Sequence, residues 1–396
     1  MAGISAITVN KGSGGLGRRP ASNDGVSAFI FYNASPPTGF ATDNIQQVFS
    51  LEEAEDLGIV DTAAAFEVYH YQVSEFFRIN PTGTLWIGFF GVPVGAPDFA
   101  EIGTMQAFAQ GAINIFGIYA SDFRTYADSD VDAAGAEMDA IEALNQPAIC
   151  LLAEDLSAVL DANIATLTDL RTKSEPDVAV LTHQDGDASS TGAALFTSKG
   201  YSIQALGATM GATSKAAVQQ SIGNPENFNL LGTELLEPAF GNGTLNKDLT
   251  TTVLSALIDR GYTIMRDYLP NLSGTYSERM PMAVALTSDY AFVENRRVVH
   301  KAQRLLVSAY LPKLNSNVFF NEDGTITDIS LEALKDVGTT VIEAMQAAGN
   351  ISQGEVIIDP AQDVLSTSTL EVSARILPVG VAQYITININ LVPSLT

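Results

Sequence analysis

Ile113-Asn114-Ile115-Phe116-Gly117-Ile118-Tyr119 and, one helical stretch later, Ala148-Ile149-Cys150-Leu151-Leu152 are short, almost uninterrupted apolar runs. A strand with one wet face alternates apolar and polar residues, whereas a strand covered on both faces reads as a continuous apolar block. The pattern repeats outward. Apolar strands over 84–92, 113–119, 148–152, 178–182 and 201–206 alternate with helical stretches over 101–110, 131–144, 157–172, 192–199 and 214–222. Buried strands spaced by helices predict a mainly parallel sheet with helices on each side, an α/β domain.

Upstream, residues 26–32 form another apolar strand, broken by Ser35-Pro36-Pro37-Thr38-Gly39. Ser50 and Glu53 have capping-box spacing, and a helix over 62–79 places Phe66, Tyr69, Val73, Phe76 and Phe77 along one face. Downstream, a helix over 247–260 leads to a strand over 262–267 and, past a turn at Gly274, to another over 282–287.

The last part of the chain changes character. A long helix over 289–310 is expected to expose Arg296, Arg297, His300, Lys301 and Arg304, the densest basic cluster of the sequence. As structure, it is a solvated face pairing with acidic neighbours; as function, it is a positive stripe that registers an acidic partner. Pro312 ends that helix, Ser330 is placed to cap another running to 348, and Gly349 suits its left-handed exit. Strands over 354–358, 370–377 and 381–391 complete an α+β unit. In the last of these Ile385, Ile387, Ile389 and Leu391 share one face, opposite Tyr384, Thr386, Asn388 and Asn390. Such a strand needs a sheet edge, in its own subunit or in another molecule. The opposite terminus holds a short apolar segment, Ile4, Ile7 and Val9, followed by a glycine-rich run over 12–20 that reads as a flexible arm.

Composition narrows the function. The chain has 396 residues, 46% hydrophobic and 16% charged, which supports a sizeable core and excludes disorder for most of its length. The formal net charge is −25, and residues 26–200 hold 25 acidic against 5 basic side chains, a field that opposes direct binding of nucleic acid. The single cysteine, Cys150, lies in an apolar run, so no disulfide can form within a chain. No signal-peptide pattern and no apolar run of bilayer length occur, so the expectation is a soluble protein made in the cytoplasm, without membrane insertion.

Motifs of chemistry are weak. Gly12-Ser13-Gly14-Gly15-Leu16-Gly17 matches a dinucleotide fingerprint, but Arg18-Arg19-Pro20 follows where a helix must begin. Asp128-Ser129-Asp130-Val131-Asp132 resembles the start of a calcium loop, yet Ala133 stands where the turn requires glycine. His70, His183 and His300 lack zinc-ligand spacing, and no nucleophile elbow, Walker loop or Cys-x-x-Cys pair is present. No catalytic residue, cofactor or metal is therefore assigned. The enzyme alternative rests on His183 and Asp185 at a strand end, a fair position for an acid or base.

Three stretches together resemble the contractile tail sheath proteins of phages and contractile injection systems. They are Gly261-Tyr262 and the strand that follows; Tyr290-Ala291-Phe292-Val293-Glu294-Asn295-Arg296-Arg297; and Ala374-Arg375-Ile376-Leu377-Pro378-Val379-Gly380 before the terminal strand. The resemblance covers about the last third of the chain, and the α/β region agrees in layout. It implies a homo-oligomer of stacked, sixfold rings around an inner tube protein, with baseplate and tail terminator or cap proteins as further partners. It also implies contraction that drives the tube through a target envelope, and assembly in the bacterial cytoplasm. Residues 1–25 become the arm of an inner mesh-forming domain, 26–285 an outer α/β domain, and 286–396 an inner α+β polymerisation domain. On that reading Ile4, Ile7, Val9, Tyr384, Ile385, Ile387, Ile389 and Leu391 form strands exchanged between subunits, and Arg296, Arg297, Lys301 and Arg304 face the tube. A non-contractile tube, capsid or surface-array subunit is the rival particle reading.

Overall fold

The computed structural model describes residues 23–389 and residue 391, so the expected arm strand of Ile4, Ile7 and Val9 lies outside the described residues. The main elements, in chain order, are β1 (Ser27–Tyr32), β2 (Ile45–Val48), α1 (Glu67–Ile79), β3 (Leu85–Phe90), α2 (Glu101–Phe108) and β4 (Ile115–Tyr119). Next come α3 (Asp128–Ala143), β5 (Ile149–Ala153), β6 (Val178–Leu181), α4 (Thr191–Lys199), α5 (Leu206–Lys215), α6 (Thr251–Asp259) and β7 (Tyr262–Thr263). The chain then forms α7 (Val293–Tyr310), α8 (Asp328–Ala347), β8 (Gln353–Ile357) and β9 (Ser373–Leu377).

The seven-stranded sheet has the order β7-β6-β5-β4-β1-β3-β2. Every pairing in it is parallel except that of the edge strand β2, which runs antiparallel to β3. All residues of β1, β4 and β5 are buried, which is why these segments read as continuous apolar blocks. One face carries a core of Phe29, Phe31, Phe76, Ile149 and Leu151 under α1 and α5. The other carries Ile30, Phe116, Met138, Cys150 and Leu257 under α2, α3 and α6. The doubly wound α/β fold expected from the sequence is present.

Local differences have tertiary causes. The strand expected over 201–206 does not form a ladder, because side chains take its main-chain hydrogen bonds: Ile203 N donates to Gln184 Oε1 (2.7 Å) and Ser202 N to Asp155 Oδ1 (2.9 Å). The helix expected over 214–222 lies earlier, as α5. Its Gly207 and Gly211 let it ride directly on the backbone of α1, where a Cβ would stand 2.0 Å from Gln72 O and 2.8 Å from Phe76 O respectively. The helix over 157–172 shrinks to a turn at Asp161–Ile164 and a 3-10 turn at Leu170–Thr172. Helix α8 is capped by Thr327, which accepts from Ser330 N, while Gly349 does take the left-handed conformation at φ 72°.

In an open α/β sheet, ligands enter where the connections diverge, here beyond the carboxyl ends of β1 and β4. That crevice is filled from within. Tyr69 on α1 places its hydroxyl 2.6 Å from Asp122 Oδ2 and 2.9 Å from the carbonyl of Tyr32. Burial pushes the Asp122 carboxyl up to about 6, the Tyr69 bond holding it down only in part.

The α1–α5 contact supplies a test of the packing. Gly207→Val inserts a side chain into the Gln72 main chain and is expected to lower stability by about 1–3 kcal/mol, read from the urea midpoint. A midpoint equal to wild type would contradict the glycine-mediated contact.

Candidate assembly interface

Helix α7 joins two bodies. Val298 and Ala302 on one side enter a small separate core with Val218, Ile342, Met345, Ile351 and Val356, which binds α8 and the β8–β9 ribbon. Gly338 allows the close approach inside it, since a Cβ there would stand 2.7 Å from Tyr310 Oη and 3.1 Å from the Val356 methyls. The other side of α7 carries the basic cluster.

That cluster is not an exposed stripe. Arg296 is 5% exposed and Arg297 4%. The Arg296 guanidinium grips Asp177 with both prongs (Nε to Oδ1 2.7 Å, Nη2 to Oδ2 2.7 Å) and reaches Glu142 Oε2 at 2.6 Å. Arg297 donates to the carbonyls of Ala216 (3.2 Å) and Asp24 (3.3 Å). Lys301 pairs with Asp24 at 2.7 Å, and Arg304 donates to the carbonyl of Pro147 at 2.9 Å. The expected exposure of the cluster is therefore corrected: Arg296 and Arg297 are buried, and Lys301 and Arg304 are half-buried. A surplus of acid in the α/β unit draws these cations inward, and a buried cation must be paired.

The electrostatics follow from this packing. Burial pushes the Asp177 carboxyl up, but hydrogen bonds from Arg296 and the charges beside it more than reverse this, leaving it below the ordinary carboxylate range. Burial without a carboxylate grip pushes Arg297 down to about 10. Glu142, Asp177 and His300 also bring one ligand atom each within 4.8 Å of one another, the metal-like cluster found among the described residues. Arg296 already bridges its two carboxylates, so the chain supplies the cation itself.

Among the described residues the β8–β9 ribbon has two strands, paired antiparallel from Gln353↔Leu377 to Ile357↔Ser373, and each keeps one edge without a ladder partner there. A groove of about 860 Å³ with a mixed lining opens beside it, between Leu306, Tyr310, Leu334 and Val372 on its apolar part and Lys313 and Asn317 on its polar part. Beyond β9, residues 378–389 and 391 join no sheet among the described residues, so the strand expected over 381–391 is not formed there. Tyr384, Ile385, Ile387, Ile389 and Leu391 are 78–100% exposed there. Five large apolar groups exposed in one short segment form an apolar patch that favours burial.

His183 and Asp185 take structural roles. His183 is buried between Thr182 Oγ1 and Asn246 Oδ1, each at 2.9 Å, and burial pushes it down to about 4. Asp185 accepts main-chain N–H bonds from Leu235 (2.5 Å), Leu236 (3.2 Å) and Asp187 (3.1 Å), tying down the loop that leads to Pro238. Sequence reading missed the partners of the basic helix, Asp24, Glu142 and Asp177. The available signal was Asp177 itself, an acid set directly before a fully apolar strand.

Removing the Arg296 fork leaves Asp177 charged and sealed from water. Arg296→Met is expected to cost about 3–5 kcal/mol, measured by urea unfolding. The double variant with Asp177→Leu should recover part of that loss, and equal losses in single and double variants would mean that the pair is not coupled.

Comparison with known proteins adds the following. The DUF2586 N-terminal domain matches residues 4–317 and the DUF2586 C-terminal domain matches residues 289–396, so the two matches overlap on α7. No curated protein matches the sequence. Among solved structures, the chain resembles one in the anti-feeding prophage (AFP) baseplate, 6-fold symmetrised, with TM-score 0.62 and 12% identity over 99% of both chains. It also resembles one in the PVC sheath complex of an extracellular contractile injection system in the contracted state, with TM-score 0.62 and 10% identity over 98% of this chain and 99% of that one. The fold is thus shared from end to end at low identity, and the two domain matches together show that the chain belongs to the DUF2586 family.

Proposed function

We propose that this chain is a structural subunit of a contractile particle, and within it a sheath subunit that polymerises as stacked, sixfold rings around an inner tube and contracts to drive that tube through a target envelope. The observation that carries the reading is the terminal segment: alternating apolar side chains held in water, following a ribbon that has two strands among the described residues and a groove beside it. A neighbour's ribbon offers backbone hydrogen bonds worth about 0.5–1.5 kcal/mol net each and burial worth about 1.5–3 kcal/mol per isoleucine. The fold likeness to a chain of a contracted sheath complex over nearly the full length supports the same placement. Inner tube, baseplate and terminator or cap proteins are the partners of such a subunit. Energy for contraction then resides in the difference between two packings of rigid bodies joined by their arms, and no cofactor or catalytic step enters.

The likeness to a baseplate chain favours a second reading, a subunit confined to a ring at the end of the particle. Electron microscopy separates the two. Full-length protein is expected to form long, striated cylinders, and deletion of residues 381–396 to leave folded subunits that form none. Single rings that never stack would favour the baseplate reading. Normal cylinders from the truncated chain would remove the terminal segment from the joint.

A further inference from the structure

We propose that Asp177, Arg296 and His300 form an acid-sensitive latch that holds helix α7, and with it the C-terminal unit, against the α/β sheet. The inference concerns the link between two bodies of one chain and stands apart from whether the chain builds a sheath.

The geometry is a closed charge cage. Both oxygens of Asp177 are taken by Arg296, and the His300 imidazole, 2% exposed, lies with Nε2 3.0 Å from Asp177 Oδ1 but off the line of a hydrogen bond, so this nitrogen has no satisfied partner. The groups facing His300 come from each packed element. Arg296 and Arg304 lie on its own helix, Asp177 directly precedes β6, and Glu142 closes α3. Asp24, at the first described turn, stands beyond Arg304 and Lys301. Neutral imidazole fits this cage. A protonated ring adds a cation beside Arg296 and Arg304, opposite an aspartate whose acceptors are already engaged. Water cannot reach that charge unless α7 lifts away from the sheet.

The sign is consistent with opening in acid. Burial and the two arginines hold His300 below its ordinary value, while Asp177 pulls the other way and only partly offsets them. A depressed folded value means the contribution to stability is complete above about pH 6.5 and is lost as pH falls through the folded value. The lowered Asp177 carboxyl adds a loss of the same sign further down, below the ordinary carboxylate range. Global melting mixes in other groups. His183 is buried and loses stability in acid too, whereas Asp122, raised to about 6, contributes in the opposite direction. The test must therefore read α7 locally.

Spin labels on Ala194→Cys in α4 and Gln346→Cys in α8 occupy exposed positions in the two bodies, and Cys150 is buried away from the reagent. In the full chain, diluted with unlabelled protein, the label distance is expected to be narrow at about pH 7.5 and to broaden towards about pH 4. His300→Gln is expected to keep the narrow distribution across that span. A wild-type distance unchanged in acid, or a His300→Gln response identical to wild type, overturns the latch. If the variant does not fold, the wild-type chain still decides, because its three histidines allow ring resonances to be followed by NMR. Titration of His300 in step with the broadening supports the latch, and broadening while His300 stays neutral overturns it.

Discussion

One buried guanidinium sets the arrangement of this molecule. Arg296 binds both oxygens of Asp177 and one of Glu142, so a single side chain ties α7 to the leading end of β6, second from the sheet edge, and to the end of a covering helix. Desolvating three charges is expensive, and such a triad adds little net stability over a well-packed apolar cluster. Its contribution is directional. A planar fork on a planar carboxylate accepts one approach, which fixes the position and rotation of α7. Arg297, satisfied by two carbonyls, permits the helix no sliding without leaving a buried cation bare.

From that constraint the rest of the C-terminal unit inherits its place. Its own core is small, built around Val298, Ala302, Ile342, Met345, Ile351 and Val356, and a two-stranded ribbon is marginal without added strands. The α/β unit, by contrast, has two full layers on a sheet whose central strands are entirely buried. A stiff body thus carries, through one clamped helix, a small ribbon and an exposed apolar segment.

Much of the fold could be read in advance. Apolar blocks separated by helices announced the parallel sheet, and the helices α3, α4, α7 and α8 all lie close to where their patterns place them. The period of two over 384–391 predicts a strand, whereas the described residues there are exposed and join no sheet. Failures fell where side chains replaced main-chain ladders, as at Ser202 and Ile203, and where glycine spacing served helix contact, as in α5.

The basic helix shows why the two levels part. Periodicity is a local property: it records which residues share a face, and it did place Arg296, His300 and Arg304 together. Whether that face meets water or carboxylates depends on groups far away in the chain, Asp24, Glu142 and Asp177, brought near only when the sheet and its covering helices close. Charge count alone favoured solvent, because lone cations are costly to bury. Folding reversed the outcome by delivering carboxylates to Arg296 and Lys301 and main-chain carbonyls to Arg297 and Arg304.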